Sequence, residues 1–111
     1  MSLPRKGTIV IANGESESAE LNLSDDRSHH PIGLLIIPPE DLAETINITV
    51  VGEHNEAALD SNGSVIEIVA RHAPQVVFLL ASTIKLTKSG AGTVSAERVF
   101  DYEAMTLYRP F

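Results

Sequence analysis

Residues 83–88 read Thr-Ile-Lys-Leu-Thr-Lys, a strict alternation that decides the fold class. Successive side chains of a strand point to opposite faces, so Ile84 and Leu86 face a core while Lys85 and Thr87 face water. The glycine-rich stretch 89–93 that follows reads as an inter-strand loop. Upstream the same period recurs. Ile46, Ile48 and Val50 share one face of residues 46–51, and turn residues occupy 52–55. Residues 18–23 place Ala19, Leu21 and Leu23 inward and Glu20 and Asn22 outward. Before them lies a strand at 8–12, joined through Asn13-Gly14, a pair that favours the positive φ of a tight hairpin.

Residues 32–37 are continuously apolar, the pattern of a central strand covered on both faces or covered by a neighbouring subunit. Pro38-Pro39 ends that run. Pro39 and the acidic residues after it suit one helical turn over 40–45, and residues 60–63 form a further loop. Residues 64–70 and 75–80 make a strand pair around Ala73-Pro74, with Ile66, Ile68, Val76 and Phe78 toward the core and Val77 and Leu79 facing the other way. The last strand runs over 104–109 with Met105 and Leu107 inward. Residues 95–103 combine the helix formers Ala96, Glu97 and Arg98 with the strand formers Val99 and Phe100, and read as an irregular approach to that strand. Short apolar runs separated by turn clusters predict an all-β, single-domain antiparallel β-sandwich or jelly-roll of about eight strands. Residues 1–7 form a flexible N-terminal arm and 8–111 the sandwich domain.

A chain of 111 residues holds one core and no second. Hydrophobic residues make up 43% and charged residues 21% of it, the balance of a globular protein. Eight Lys and Arg against fifteen Asp and Glu give a net charge of -7. Such a surface repels nucleic-acid phosphates and anionic membranes, so neither is an expected partner. Cysteine is absent, which removes disulfides and thiolate metal sites and suits synthesis in a reducing cytoplasm. No apolar run of signal-peptide or membrane-spanning length follows Arg5 and Lys6, so export by the usual signal is not expected.

Candidate chemistry is sparse. Asp25, Asp26, His29 and His30 could bind a divalent cation, but they lack a third strong anchor and read more simply as a polar loop closed by Pro31. His54 and His72 stand beside turn residues. Lys88-Ser89-Gly90-Ala91-Gly92-Thr93 resembles a phosphate loop in composition, yet its lysine precedes the glycines where such a loop needs it after them. The carboxylates Glu15, Glu17, Glu20, Glu40 and Asp41 fall at turn or solvent-facing positions, whereas general acid catalysis needs a dry pocket. With no nucleophile elbow or paired-histidine motif, the expectation is a non-enzyme without cofactor or metal. Of the aromatics Phe78, Phe100, Tyr102, Tyr108 and Phe111, the three at 102, 108 and 111 are candidates for a binding surface. The glycosylation-like triplets at Asn22, Asn47 and Asn62 carry little meaning without a secretion signal.

The order of the pieces is itself informative. GTIVIANGESESAELNLS (7–24), PIGLLIIPPE (31–40), INITVVGEHNE (46–56), STIKLTKSGAGT (82–93) and AMTLYRP (104–110) follow one another across nearly the whole chain. Together they resemble small tailed-bacteriophage virion structural proteins of the β-sandwich head decoration or cement type. Two departures stand out: Gly52-Glu53-His54-Asn55 replaces that family's Ser-x-Asp-Gly turn, and Val99, Phe100 and Tyr102 enrich the segment before the last strand. The resemblance implies a decoration protein that binds the assembled head, with the major capsid protein as partner, a homo-oligomer (trimer favoured), and a place on the capsid surface of the virion after synthesis in the host cytoplasm. Contact candidates are Ser2, Leu3, Pro4, Arg5 and Lys6 of the arm, with Leu35, Ile37, Val77, Leu79, Tyr102, Tyr108 and Phe111. A carbohydrate-binding sandwich, a tail or neck component, and a small metal-dependent enzyme using the His29-His30 loop are the rival expectations.

Overall fold

The computed structural model describes residues 5–23, 32–52, 54–60, 62–69, 75–79 and 83–106, with Arg5, 75–79 and Thr106 described as backbone. Among them it holds nine strands and no helix. The pairings nest: β1 (Arg5–Ile11) pairs with β9 (Arg98–Thr106), β2 (Leu21–Asn22) with β8 (Thr83–Lys88), and β3 (Ile32–Ile37) with β7 (Gln75–Leu79). Innermost, β4 (Ile46–Val50) pairs with both β5 (Glu56–Ala57) and β6 (Glu67–Ile68). All these pairs are antiparallel, so the chain is one long ribbon doubled back on itself. Two further antiparallel pairings, β3 with β9 and β4 with β8, roll the ribbon up. The result is a four-stranded sheet, β1-β9-β3-β7, and a five-stranded sheet, β2-β8-β4-β5 with β6 also on β4. This strand order is that of a jelly roll.

The rolled ribbon corrects two expected hairpins. Gly14 has φ 83° and Glu15 N–H donates to Ala12 O at 3.0 Å, so the tight turn at Asn13-Gly14 is present. Its flanking strands, however, lie in different sheets, and the turn opens a crossover. Likewise β6 and β7, expected to pair around Pro74, belong to different sheets. Residues 40–45 form no helical turn; Leu42 N–H donates to Pro39 O at 3.2 Å in a simple turn.

Strand parity decides the core. Ile84 and Leu86, Ile46 and Ile48, and Ile32, Leu34 and Ile36 are all fully buried, the alternation expected of strands with one face on a core. Residues 32–37 therefore follow period two despite their unbroken apolar run, with Ile37 exposed. Around β2, Leu23 is buried and Leu21 half-buried, but Ala19 is exposed and Ser18 takes the inward place. Ser18 Oγ accepts from Leu86 N–H at 2.9 Å and donates to Ala19 O, so this buried hydroxyl is satisfied.

The last strand differs most from expectation. It begins at Arg98, six residues before the expected start, and runs for nine residues. Arg98, Phe100 and Ala104 are buried, while Val99, Asp101 and Met105 are exposed. Met105, expected in the core, therefore faces out. Helix propensity at 96–98 is a weak local preference, and wedging between β1 and β3 overrides it. At the other end of the chain β1 takes in Arg5, Lys6 and Gly7, which pair with Ala104, Glu103 and Tyr102, so these three residues of the expected arm belong to the sheet. A Cβ on Gly7 would stand 3.0 Å from Tyr102 Cε1. The ring thus covers an edge-strand glycine, a recognised way of shielding bare backbone.

Candidate interaction surface

The two sheets present very different outer faces. On the five-stranded sheet the outward residues of β4 and β8 are polar: Lys85 Nζ pairs with Glu17 Oε2 at 2.9 Å, and the hydroxyls of Thr49 and Thr87 hydrogen-bond at 2.9 Å. That is the ordinary wet face of an antiparallel sheet. The four-stranded sheet turns apolar side chains outward. Val10 sits opposite Val99 in register, and both are 39% exposed. Ile37, opposite Asp101, is 40% exposed, and Met105, opposite Gly33, is 45% exposed. Leu35, half-buried, lies opposite Glu103. Lys6 and Thr8 complete the rows opposite Glu103 and Asp101. A band of charge thus crosses an otherwise apolar face, the composition of a surface that binds another protein.

The expected contact residues distribute unevenly over this geometry. Leu35 and Ile37 lie on the apolar face, and Lys6 stands beside it on the edge strand β1. Arg5 is the first residue of that strand. The register sets Val77 opposite Leu34 and Leu79 opposite Ile32, the positions of buried residues, while Val76 and Phe78 fall opposite Leu35 and Gly33. Tyr102 lies half-buried against the core over Gly7, on the other side of the sheet from Leu35 and Ile37. Ser2, Leu3, Pro4, Tyr108 and Phe111 lie outside the described residues. Val10, Val99 and Met105 were not signalled as surface residues, because their outward parity emerges only once β9 is known to start at Arg98 and to pair with β1.

The end of the sandwich next to Val10 and Val99 is tied together by a buried ion pair. Arg98, 3% exposed, donates from Nε to Glu44 Oε1 at 2.9 Å and from Nη2 to Glu44 Oε2 at 3.3 Å. Its Nη1 donates to Asp41 O at 2.8 Å and lies 3.4 Å from Asp41 Oδ2. Ser95 completes the cluster: its N–H and Oγ each donate to Glu44 Oε2 at 3.2 Å, and Oγ also lies 3.1 Å from Arg98 Nη2. The hydrogen bond from Arg98 holds the Glu44 carboxyl below its ordinary pKa, with Ser95 assisting and burial working against both. A carboxylate engaged on both oxygens is held charged and in place. Its effect is to lock the β3–β4 crossover onto the start of β9. The β1–β2 crossover joins the same end, since Gly14 N–H donates to Val94 O and Val94 N–H to Glu15 O.

The other sequence candidates gather into no common site among the described residues. Glu15, Glu17, Glu20, Glu40, Asp41 and His54 are all exposed. Asp25, Asp26, His29, His30 and His72 lie outside the described residues, and among the described ones no group of three His, Asp or Glu is placed to hold a metal. Lys88 Nζ donates to Ser89 O at 3.1 Å and Ala91 O at 2.7 Å. The glycine loop therefore turns carbonyls toward its own ammonium, the opposite polarity to a phosphate cradle. Comparison of the chain with protein-family models, with curated proteins and with solved structures returned no match.

Proposed function

We propose that this chain is a virion structural protein of a tailed phage, a decoration protein that binds the outside of the assembled head and stabilises it. The observation that carries the reading is the exposed apolar face of the four-stranded sheet, centred on Val10, Val99, Ile37 and Met105. Left in water such a face is a liability for a monomer; covered by a partner it supplies the driving force for association. The jelly-roll strand order and the motif order that resembles head decoration proteins support the same reading. The partner is the major capsid protein. The protein also associates with itself, a trimer being the form that suits three-fold positions of a capsid. A subunit that bridges neighbouring capsomers binds only the assembled state and so favours it by mass action. Synthesis in the host cytoplasm and a final place on the capsid surface go with this role.

The test is the solution mass of the protein together with its co-sedimentation with expanded capsids that lack it. A discrete oligomer that saturates the capsids at a fixed ratio is the expected outcome. A monomer that leaves capsids unbound contradicts the reading and directs attention to tail or neck assemblies and glycans. To test a contribution from the arm, residues 1–4 are the segment to remove, because deleting Arg5 and Lys6 would also cut the edge strand.

A further inference from the structure

The chain contains the dipeptide Asn-Gly twice, at Asn13-Gly14 and Asn62-Gly63, and the fold treats the two differently. Both asparagines are exposed, and both glycines have left-handed backbone, with φ 83° and 81°. In such a pair the glycine nitrogen, once deprotonated, can attack the asparagine Cγ. The new N–Cγ bond closes a succinimide ring as the Cγ–Nδ2 bond breaks and ammonia leaves. Water then opens the ring at either carbonyl, giving aspartate or isoaspartate. The net change consumes one water and releases one ammonia, so no other reactant is required. The rate depends on how freely the glycine N–H leaves its hydrogen bond and how freely the backbone turns.

Gly14 N–H donates to Val94 O at 3.1 Å, and Val94, buried at 1% exposure, returns a bond from its own N–H to Glu15 O at 2.9 Å. This reciprocal tie joins two crossovers far apart in sequence, so releasing Gly14 means opening one end of the sandwich. Gly63 N–H also has an acceptor, Asp60 O at 3.0 Å, but every bond around it is internal to the same short loop. Asp60 Oδ1 accepts from Asn62 N–H at 2.8 Å and Ser64 N–H at 3.0 Å, and Asp60 N–H donates to Ser64 O at 2.8 Å. The flanking bridge pairs Leu59 with Val65, both exposed. A loop held by exposed local bonds opens at far lower free energy than a buried long-range tie.

We infer that Asn62 is a site of spontaneous deamidation and isomerisation, and that Asn13, in the same dipeptide, is protected by its tie to Val94. Conversion at Asn62 adds a negative charge beside Asp60, and isoaspartate lengthens the main chain by one carbon within the β5–β6 turn. Peptide mapping by mass spectrometry, after incubating the folded protein at mildly alkaline pH, tests this. Aspartate and isoaspartate are expected to accumulate several-fold faster at residue 62 than at residue 13, and the two rates are expected to converge when the chain is unfolded in urea. Asp60→Ala, which removes two loop hydrogen bonds, is expected to speed conversion at 62 and leave 13 unchanged. Equal rates in the folded protein, faster conversion at 13, no conversion at 62, or an Asp60→Ala variant whose residue 62 converts no faster would each overturn the inference.

Discussion

Arg98→Ala is expected to lower the unfolding free energy by about 3–5 kcal/mol, the range for stripping one partner from a buried ion pair. The loss is large because Glu44, whose side chain is 9% exposed, would keep its charge with only Ser95 left to donate to it. Against a typical domain stability of roughly 5–15 kcal/mol, such a variant stands near the edge of folding. Removing both charges tells the pair from the packing. Arg98→Met combined with Glu44→Leu is expected to recover most of the loss, since a well-packed apolar pair often replaces a buried ion pair at little cost. Chemical denaturation of the wild type, both single variants and the double variant measures the coupling; additive losses would contradict it.

The same pair sets a pH dependence with a definite sign. Glu44 has its folded-state pKa below the ordinary value, chiefly through Arg98. Its contribution is therefore complete above the ordinary carboxylate pKa of about 4.3 and is lost as pH falls through the lowered folded value. Wild-type stability is expected to drop across that acid window, and Arg98→Ala is expected to flatten the Glu44 part of the slope. Denaturation midpoints measured through the acid range check this directly.

The second large effect lies in the core. Phe100 is fully buried near the start of β9, opposite Ile9 of β1 in register and one residue before the pairing of β9 with β3 begins at Asp101. Phe100→Ala is expected to cost about 3–5 kcal/mol through lost transfer energy and an incompletely closed cavity. Phe100→Leu, which keeps much of the volume, is expected to cost clearly less. Equal losses for the two variants in chemical denaturation would show that packing at this site is not what holds β9. Because the side chain points away from the apolar outer face, the variant that still folds should retain its association.

Much of the fold could be read from local periodicity, and the limits of that reading are physical. Thr83–Lys88 and Ile46–Val50 alternate so strictly that their faces follow from sequence alone. Partner choice did not, because Asn13-Gly14 specifies a tight turn and not the strand that β1 will pair with; that strand lies nearly ninety residues away. β9 was hidden by Ala96-Glu97-Arg98, where local helix propensity opposes a long-range pairing that wins. The same local preference conceals the ion pair, since it marks Arg98 only as a helix former. The alternation Arg98, Phe100, Tyr102, Ala104 was the available signal. Of the apolar face, Leu35 and Ile37 were visible as surplus hydrophobicity in an unbroken run, whereas Val10, Val99 and Met105 needed the register to give them a common side.

The central claim is that the outer face of the β1-β9-β3-β7 sheet is the assembly surface. Co-sedimentation of the Ile37→Lys, Val99→Lys double variant with expanded capsids lacking the protein tests it most directly. Both side chains are exposed, so the variant should keep the wild-type denaturation midpoint closely, while capsid affinity falls by at least about tenfold, equivalent to ~1.4 kcal/mol. A folded double variant that saturates capsids with wild-type affinity would contradict the claim.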